Sequence, residues 1–261
     1  MGWNEERELQ ELEKTHKETL SNTEQEKFEF EEAKSTAKKI YLIYGKKGEG
    51  KTTTAMGFPG DIAVICFDNK SLIIKENMYN NDDRIRVYNA IRFFDESFNN
   101  ILSSSVITYR YTMFLLENLE KTKQDWILID GLEVFSRIAE FVMRSNHNLK
   151  PFQGIPNINI WKERRLILKE LHNKALKAAK KGVIYTTYTR IEEIIDEGTI
   201  ITKREVPEWF DVVMWETDVV IHVYTKRQKD RLRFLAEIVS SKLKNLPTGR
   251  IFDITNKTLE V

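Results

Sequence analysis

Gly45-Lys46-Lys47-Gly48-Glu49-Gly50-Lys51-Thr52 is the stretch on which the reading of this chain turns. It fits the spacing G-x-x-x-x-G-K-[ST] in full, and chance produces such a match in a chain of this length on the order of once in a hundred. The glycines let the loop wrap so that backbone N–H groups point inward at phosphate oxygens. A helix that follows adds the positive end of its dipole. In such a loop Lys51 reaches the β- and γ-phosphates, and the Thr52 hydroxyl coordinates magnesium. The nucleotide contacts are thus expected over Gly45, Lys46, Lys47, Gly48, Glu49, Gly50, Lys51, Thr52 and Thr53. The bland alternative is a glycine turn with no ligand.

Outward from the loop, the apolar run Ile40-Tyr41-Leu42-Ile43-Tyr44 reads as a buried strand leading into it, and a short helix closed by Phe58-Pro59-Gly60 follows. Further strands are expected at 62–67, 84–89, 126–130 and 183–187, with helices at 95–121, 132–144 and 160–181. Residues 145–159 contain Pro151 and Pro156 and read as a loop, while 191–202 form a hairpin around Glu197-Gly198. Strands at 218–224, 231–239 and 250–254 end the chain. Strands alternating with helices, then a strand-rich end, predict an α/β fold with a mostly parallel sheet and an antiparallel C-terminal extension.

The chain has 261 residues, 41% hydrophobic and 31% charged, enough for one α/β domain and an appendage. Residues 1–39 hold 7 Lys/Arg against 11 Asp/Glu, without Pro, and read as a charged helical arm ahead of a core at 40–261. Leu9, Leu12, His16 and Leu20 give that arm only a thin apolar seam. The remainder carries 34 basic residues against 29 acidic, concentrated late in Lys226, Arg227, Lys229, Arg231, Arg233, Lys242, Lys244 and Arg250. That bias permits contacts to a phosphate backbone, although basic runs are also ordinary solvated faces. No run approaches the roughly 20 apolar residues of a membrane span, and no signal peptide is visible. A cytoplasmic protein is expected. Cys66 lies in an apolar strand, and the four histidines are scattered, so neither a disulfide nor a zinc site is expected.

A phosphate loop needs an acidic partner for its metal. Asp125-Trp126-Ile127-Leu128-Ile129-Asp130-Gly131 places a carboxylate at the end of an apolar strand, so Asp130 joins Thr52 as the expected magnesium pair. An Asp at this place also caps a following helix. Hydrolysis further needs a group that orients water. Asp68, ending the second strand, is the first candidate and Glu133 the second; Asp68-Asn69-Lys70 equally suits a plain turn.

With these parts in order, the chain resembles the RecA/KaiC branch of P-loop ATPases, in particular the compact RecA-like nucleotide-binding proteins of phages and archaeal viruses. The resemblance runs from about Ile40 to Ile254. It rests on the loop with Gly57-Phe58-Pro59-Gly60, on Ile65-Cys66-Phe67-Asp68, on Trp126 to Asp130, and on Val183-Ile184-Tyr185-Thr186-Thr187-Tyr188. The late stretches Asp218 to Val223 and Ile238 to Lys244 complete it. The resemblance implies a RecA-like core that binds ATP and Mg2+. It puts the family's acidic residue at or near Asp68, its polar sensor at Thr186 and Thr187, and its cation pair reaching a neighbouring subunit's ATP at Lys242 and Lys244. Phe30-Glu31-Glu32-Ala33 has the form of the element through which archaeal and eukaryotic recombinases polymerise; a Phe packed onto its own core is the alternative.

Loops that bind DNA would fall at 144–161, with Lys150 and Phe152, and at 190–209, with Lys203, Arg204 and Trp209, since basic and aromatic residues together suit single strands. The expected function is an oligomeric ATPase acting on single-stranded DNA in recombination, annealing or replication. A DNA-packaging or other motor, and an ATP-dependent switch or scaffold with little turnover, are the alternatives. A helical lid of the AAA+ kind is not expected, because 218–254 read as strands.

Overall fold

The computed structural model describes residues 38–196, 199–208, 211–229 and 231–255. The arm expected at 1–39, with its Phe30-Glu31-Glu32-Ala33, lies outside them apart from Lys38 and Lys39, as do Glu197-Gly198 and Trp209.

Six parallel strands form the sheet in the order β3 (Ile85–Asn89), β2 (Ile62–Cys66), β4 (Gln124–Asp130), β5 (Ala179–Asp196), β1 (Lys39–Gly45) and β7 (Val219–Gln228). The antiparallel strands β8 (Arg231–Ser241) and β9 (Ile251–Asp253) extend it beyond β7, and β6 (Thr199–Pro207) pairs antiparallel with the outer half of β5. The expected α/β fold, a mostly parallel sheet with an antiparallel C-terminal extension, is what the chain adopts. The loop-bearing strand β1 and the acidic strand β4 are not neighbours; β5 lies between them. Thr186 on β5 therefore stands level with Ile43 of β1 and with Asp130 of β4.

Helices cover both faces, so the strands are buried on both sides and read as unbroken apolar runs rather than alternations. On one face Leu42, Ile65, Ile127 and Ile129 pack against α3 (Ile101–Thr122), α4 (Leu132–Asn146) and α5 (Trp161–Ala178). On the other, Tyr41, Ile43, Val64 and Leu128 pack against α1 (Lys51–Met56), with Ile74 and Tyr79 of α2 (Ser71–Tyr79) at its margin. Each such Ile or Leu stabilises the fold by about 1.5–3 kcal/mol. Tyr41, Phe58 and Trp126 meet edge to face beneath α1, with ring centroids 4.9–5.7 Å apart. The Arg84 guanidinium donates to the carbonyls of Met56 at 3.0 Å and Phe58 at 2.6 Å, satisfying acceptors that the six-residue α1 leaves open at its end.

Several boundaries differ from the sequence reading, each for a local reason. Helix α3 starts at Ile101, not residue 95, because the Asp95 carboxylate accepts from Ser97 N at 2.9 Å and Asn100 Nδ2 at 2.7 Å and holds a turn there. Helix α5 ends at Ala178, since Ala179 and Gly182 are already paired to Gln124 and Lys39 in the sheet. The strand expected at 183–187 and the first arm of the expected hairpin are one strand, β5. Helix α2 gives little apolar periodicity, because Leu72 and Ile73 are exposed. Neither α2 nor the short α6 (Asp211–Glu216) is foreseen in the sequence.

Candidate phosphate-binding site

The loop leaves β1 at Gly45 and enters α1 at Gly50. A side chain at Gly45 would put its Cβ 2.2 Å from the Val223 carbonyl oxygen of β7, so the turn runs against a neighbouring strand where only glycine fits. Within the loop Glu49 Oε2 accepts from Lys46 N at 2.5 Å, and Thr54 Oγ1 donates to the Gly50 carbonyl at 2.8 Å. Lys51 Nζ donates to the carbonyls of Gly45 at 3.0 Å and Lys46 at 2.9 Å and sits 4.3 Å above the Tyr188 ring. Burial pulls its pKa below the ordinary lysine value, against the opposing pull of nearby Glu133 and Asp130.

Three hydroxyls converge on Asp130. Thr52 Oγ1 lies 2.9 and 3.1 Å from its two carboxylate oxygens, Ser71 Oγ donates to Oδ2 at 2.6 Å, and Thr186 Oγ1 donates to Oδ1 at 2.6 Å. Thr186 also accepts from Gly131 N at 3.0 Å, which fixes the direction of its own hydrogen. Gly131 caps α4 with φ 93, a left-handed turn open to glycine, and this swings the chain from strand to helix directly over the cluster. Asp130 is buried, and burial, aided by repulsion from Asp68, pushes its pKa up. Among the described residues no ion pair includes Asp130.

This donor set suits a small hard cation. A hydroxyl and a carboxylate lie side by side, all hard oxygens, and the carboxylate is buried without a cationic side chain against it. Thr52 and Asp130 are the residues that would hold Mg2+. Cys66 and Asp68 also approach Asp130, with one ligand atom from each residue within 4.8 Å of the others, and the Cys66 thiol donates to Asp68 Oδ1 at 3.3 Å. Asp68 Oδ1 additionally accepts from Lys70 N at 2.9 Å.

A cavity of about 420 Å3 opens beside the loop. Lys47, Gly48, Gly50, Lys51, Thr52 and Thr53 form its phosphate end, where Asp68, Asp130, Glu133, Thr186 and Tyr188 also line it. Ile74, Met78, Tyr79, Phe234 and Ile254 give it apolar lining. Glu133 is held mostly out of water, and that burial pushes its pKa up to about 7. Gly45, Lys46 and Glu49 shape the loop from behind, and Lys46 makes an ion pair with Glu205 of β6.

Two expected groups are not brought to this cavity. Lys242 and Lys244 follow β8 at the end of the sheet where β1 begins: Lys242 N donates to the Asp218 carbonyl, and Asp218 N to that of Ile40. They therefore stand about 17 Å along the strands from Gly45 in their own chain. Lys242 Nζ lies 3.5 Å from Asp218 Oδ1. The tip of the β7–β8 hairpin, bearing Lys226, Arg227, Lys229, Arg231 and Arg233, projects instead at the cavity's end of the sheet.

The expected DNA loops are also changed in detail. Arg144 is buried, and its guanidinium is engaged with Glu140 at 2.8 Å and the Gln153 carbonyl at 2.6 Å, so it shapes its loop. Lys203 and Arg204 form ion pairs with Glu193 and Glu192 across the β5–β6 hairpin. Phe152 is 73% exposed and stacks on Phe98, with centroids 5.9 Å apart. Ser71 and Phe234 belong to the site without any sequence signal that marks them, since each arrives from a different element through folding alone.

Residues 37–236 match the sequence profile of the AAA domain family. No curated protein matches the chain. Among solved structures, a KaiC-like protein of the hyperthermophilic archaeon Pyrococcus horikoshii is similar at 12% identity with a TM-score of 0.42, covering 82% of this chain and 84% of that one. The flagellar accessory protein FlaH of Methanocaldococcus jannaschii is similar at 11% identity with a TM-score of 0.39 over 82% and 84%. No helix among the described residues is long and apolar enough to cross a membrane.

Proposed function

We propose that this chain, which belongs to the AAA domain family and has a RecA/KaiC-like P-loop core, binds ATP with Mg2+ and hydrolyses it. The observation that carries this reading is the hydroxyl cage of Thr52, Ser71 and Thr186 around buried Asp130, set against the phosphate loop. Three donors directed at one buried carboxylate amount to more than turn formation requires, and they orient its oxygens toward Thr52. Magnesium bound there supplies charge neutralisation for the β- and γ-phosphates.

The chain's own residues do the rest. Loop N–H groups from Lys47 to Thr53 bind the phosphates, Lys51 swings from the Gly45 and Lys46 carbonyls to the γ-phosphate, and the apolar side chains lining the cavity take the base. Thr186 bridges Asp130 to Gly131 and so links the phosphate site to the start of α4. A cavity carboxylate accepts the proton of the attacking water, Asp68 and Glu133 being the two candidates.

The polymer acted on is proposed to be DNA, by an oligomer working in the cytoplasm. What supports DNA is the β7–β8 hairpin, where Lys226 stands directly opposite Arg233 and Arg231 opposite Gln228. Like charges facing each other weaken a hairpin unless an anion lies nearby, and a phosphate backbone is such an anion. Arg233 is partly offset by Asp253 at 3.3 Å. In an oligomer Lys242 and Lys244 would act on the nucleotide of an adjacent subunit.

The test is magnesium-dependent ATP turnover of the wild-type chain, with and without single-stranded DNA. Turnover that DNA stimulates is the expected result. Tight ATP binding with no turnover in either condition would overturn hydrolysis in favour of a nucleotide-dependent switch.

A further inference from the structure

The two cavity carboxylates differ in burial: of the two, only Glu133 holds a buried oxygen without a hydrogen-bond partner. Asp68 Oδ1 accepts from Lys70 N at 2.9 Å and from the Cys66 thiol at 3.3 Å, closing the turn into α2. Glu133 Oε2 is buried and has no hydrogen-bond partner. A buried carboxylate oxygen without a donor is costly to maintain, and folded proteins seldom keep one without a use. Its place is also constrained. The left-handed turn at Gly131 starts α4 immediately after Asp130, so Glu133 falls in the first helical turn and lines the cavity. Lys51 from α1, Asp130 from β4, Tyr188 from β5 and Glu208 after β6 are the charged and titratable groups around it.

From this we infer that Glu133, rather than Asp68, is the catalytic carboxylate that takes the proton of the attacking water, an inference that rests on the hydrolytic reading above. The water oxygen forms a bond to the γ-phosphorus while the bond from that phosphorus to the β–γ bridging oxygen breaks. The bridging oxygen keeps the electron pair and leaves as ADP. One water proton passes to the Glu133 carboxylate, which lines the cavity, and then to the released phosphate, which restores the carboxylate for the next turnover. A proton affinity raised by burial to about 7 matches such an acceptor to neutral pH.

The experiment compares wild type, Glu133→Gln, Glu133→Asp and Asp68→Asn for ATP affinity, single-turnover hydrolysis and the pH profile of kcat, all with magnesium. Glu133→Gln is expected to lower kcat by about 10²–10⁴-fold with ATP affinity held within about threefold. Wild-type kcat should fall as pH drops below about 7, and that acid limb should be missing from the residual activity of Glu133→Gln. Asp68→Asn should lose at least about tenfold less than Glu133→Gln. Hydrolysis by Glu133→Gln within about threefold of wild type, or a larger loss in Asp68→Asn, would overturn the inference. Should Glu133→Gln fail to fold, Glu133→Asp decides: it withdraws the carboxylate by one methylene, and an unchanged kcat would likewise overturn it. Wild type that binds ATP without turnover refutes hydrolysis itself, and with it the role of Glu133, before any variant is made.

Discussion

The two ends of the central sheet handle polar residues in opposite ways. Where β1 and β4 finish beside the middle of β5, Thr52, Ser71, Asp130 and Thr186 are buried and joined by hydrogen bonds to Asp130, with Glu133 close by. Where β1 begins, charge stays at the surface: Lys242 pairs with Asp218 and Lys181 with Asp125, and the lysines are 61% and 52% exposed. Burying a carboxylate costs stability that apolar residues of the same shape would not cost, whereas an exposed pair is nearly neutral. The first end is therefore the one whose composition folding alone does not explain, and it is the end that holds the cavity.

The largest expected effect lies at that end. Lys51→Ala should weaken magnesium-dependent ATP binding more than about a hundredfold, read by direct titration, because the loop then loses the cation that reaches the γ-phosphate. Retained affinity would break the contrast at its root. Next comes Thr186→Val, which keeps shape but strips a donor from Asp130 and an acceptor from Gly131 N. Denaturant unfolding should show a loss of about 2–4 kcal/mol. A loss below about 0.5 kcal/mol would mean that the cage is looser than its distances state.

Glu133→Gln sharpens the comparison through stability rather than rate. Burial raises the carboxyl's pKa to about 7 in the folded chain from its ordinary value of 4.5, so folding favours its protonated form. Above pH 7 the charged form is buried at a cost that Gln does not bear. The variant should therefore be more stable than wild type at pH 8 by on the order of 2 kcal/mol. That advantage should shrink as pH falls through about 7 and vanish below about 4.5, where the acid is protonated in both states. An advantage independent of pH would point to packing instead. The smallest effect belongs to the other end: Lys242→Ala should change unfolding free energy by no more than about 0.5–1 kcal/mol, because its pair is exposed. A turnover loss in Lys242→Ala that appears only at concentrations where the chain associates would reveal action on a neighbouring subunit.

Much of the site was legible in the sequence because its central parts are local. A glycine loop must follow its strand and precede its helix, so Gly45 to Thr52 announces itself within a single turn of chain. Asp130 is legible for a similar reason, as four apolar residues ending in a carboxylate mark where a strand leaves the core. Asp68 was reached as the carboxylate ending the second strand and Thr186 by position in the resemblance, and both line the cavity. Ser71 could not be reached, since its role is to cross 59 residues and meet Asp130. The basic residues near the end of the chain could be counted, yet whether they faced the cavity depended on the antiparallel register of β7 and β8.

By itself, then, the sequence determined the α/β class, the phosphate loop, a carboxylate at the end of β4 and the strand-rich end, since each follows from local spacing and apolar runs. Only the tertiary structure decided the order of strands, which puts β5 between the loop and Asp130 and makes Thr186 the bridge. It also decided which end of the sheet each lysine occupies, and which of two carboxylates buries an unpaired oxygen. The reason is physical: hydrogen-bond partners and burial depend on contacts between residues far apart in the chain, and no local pattern records them.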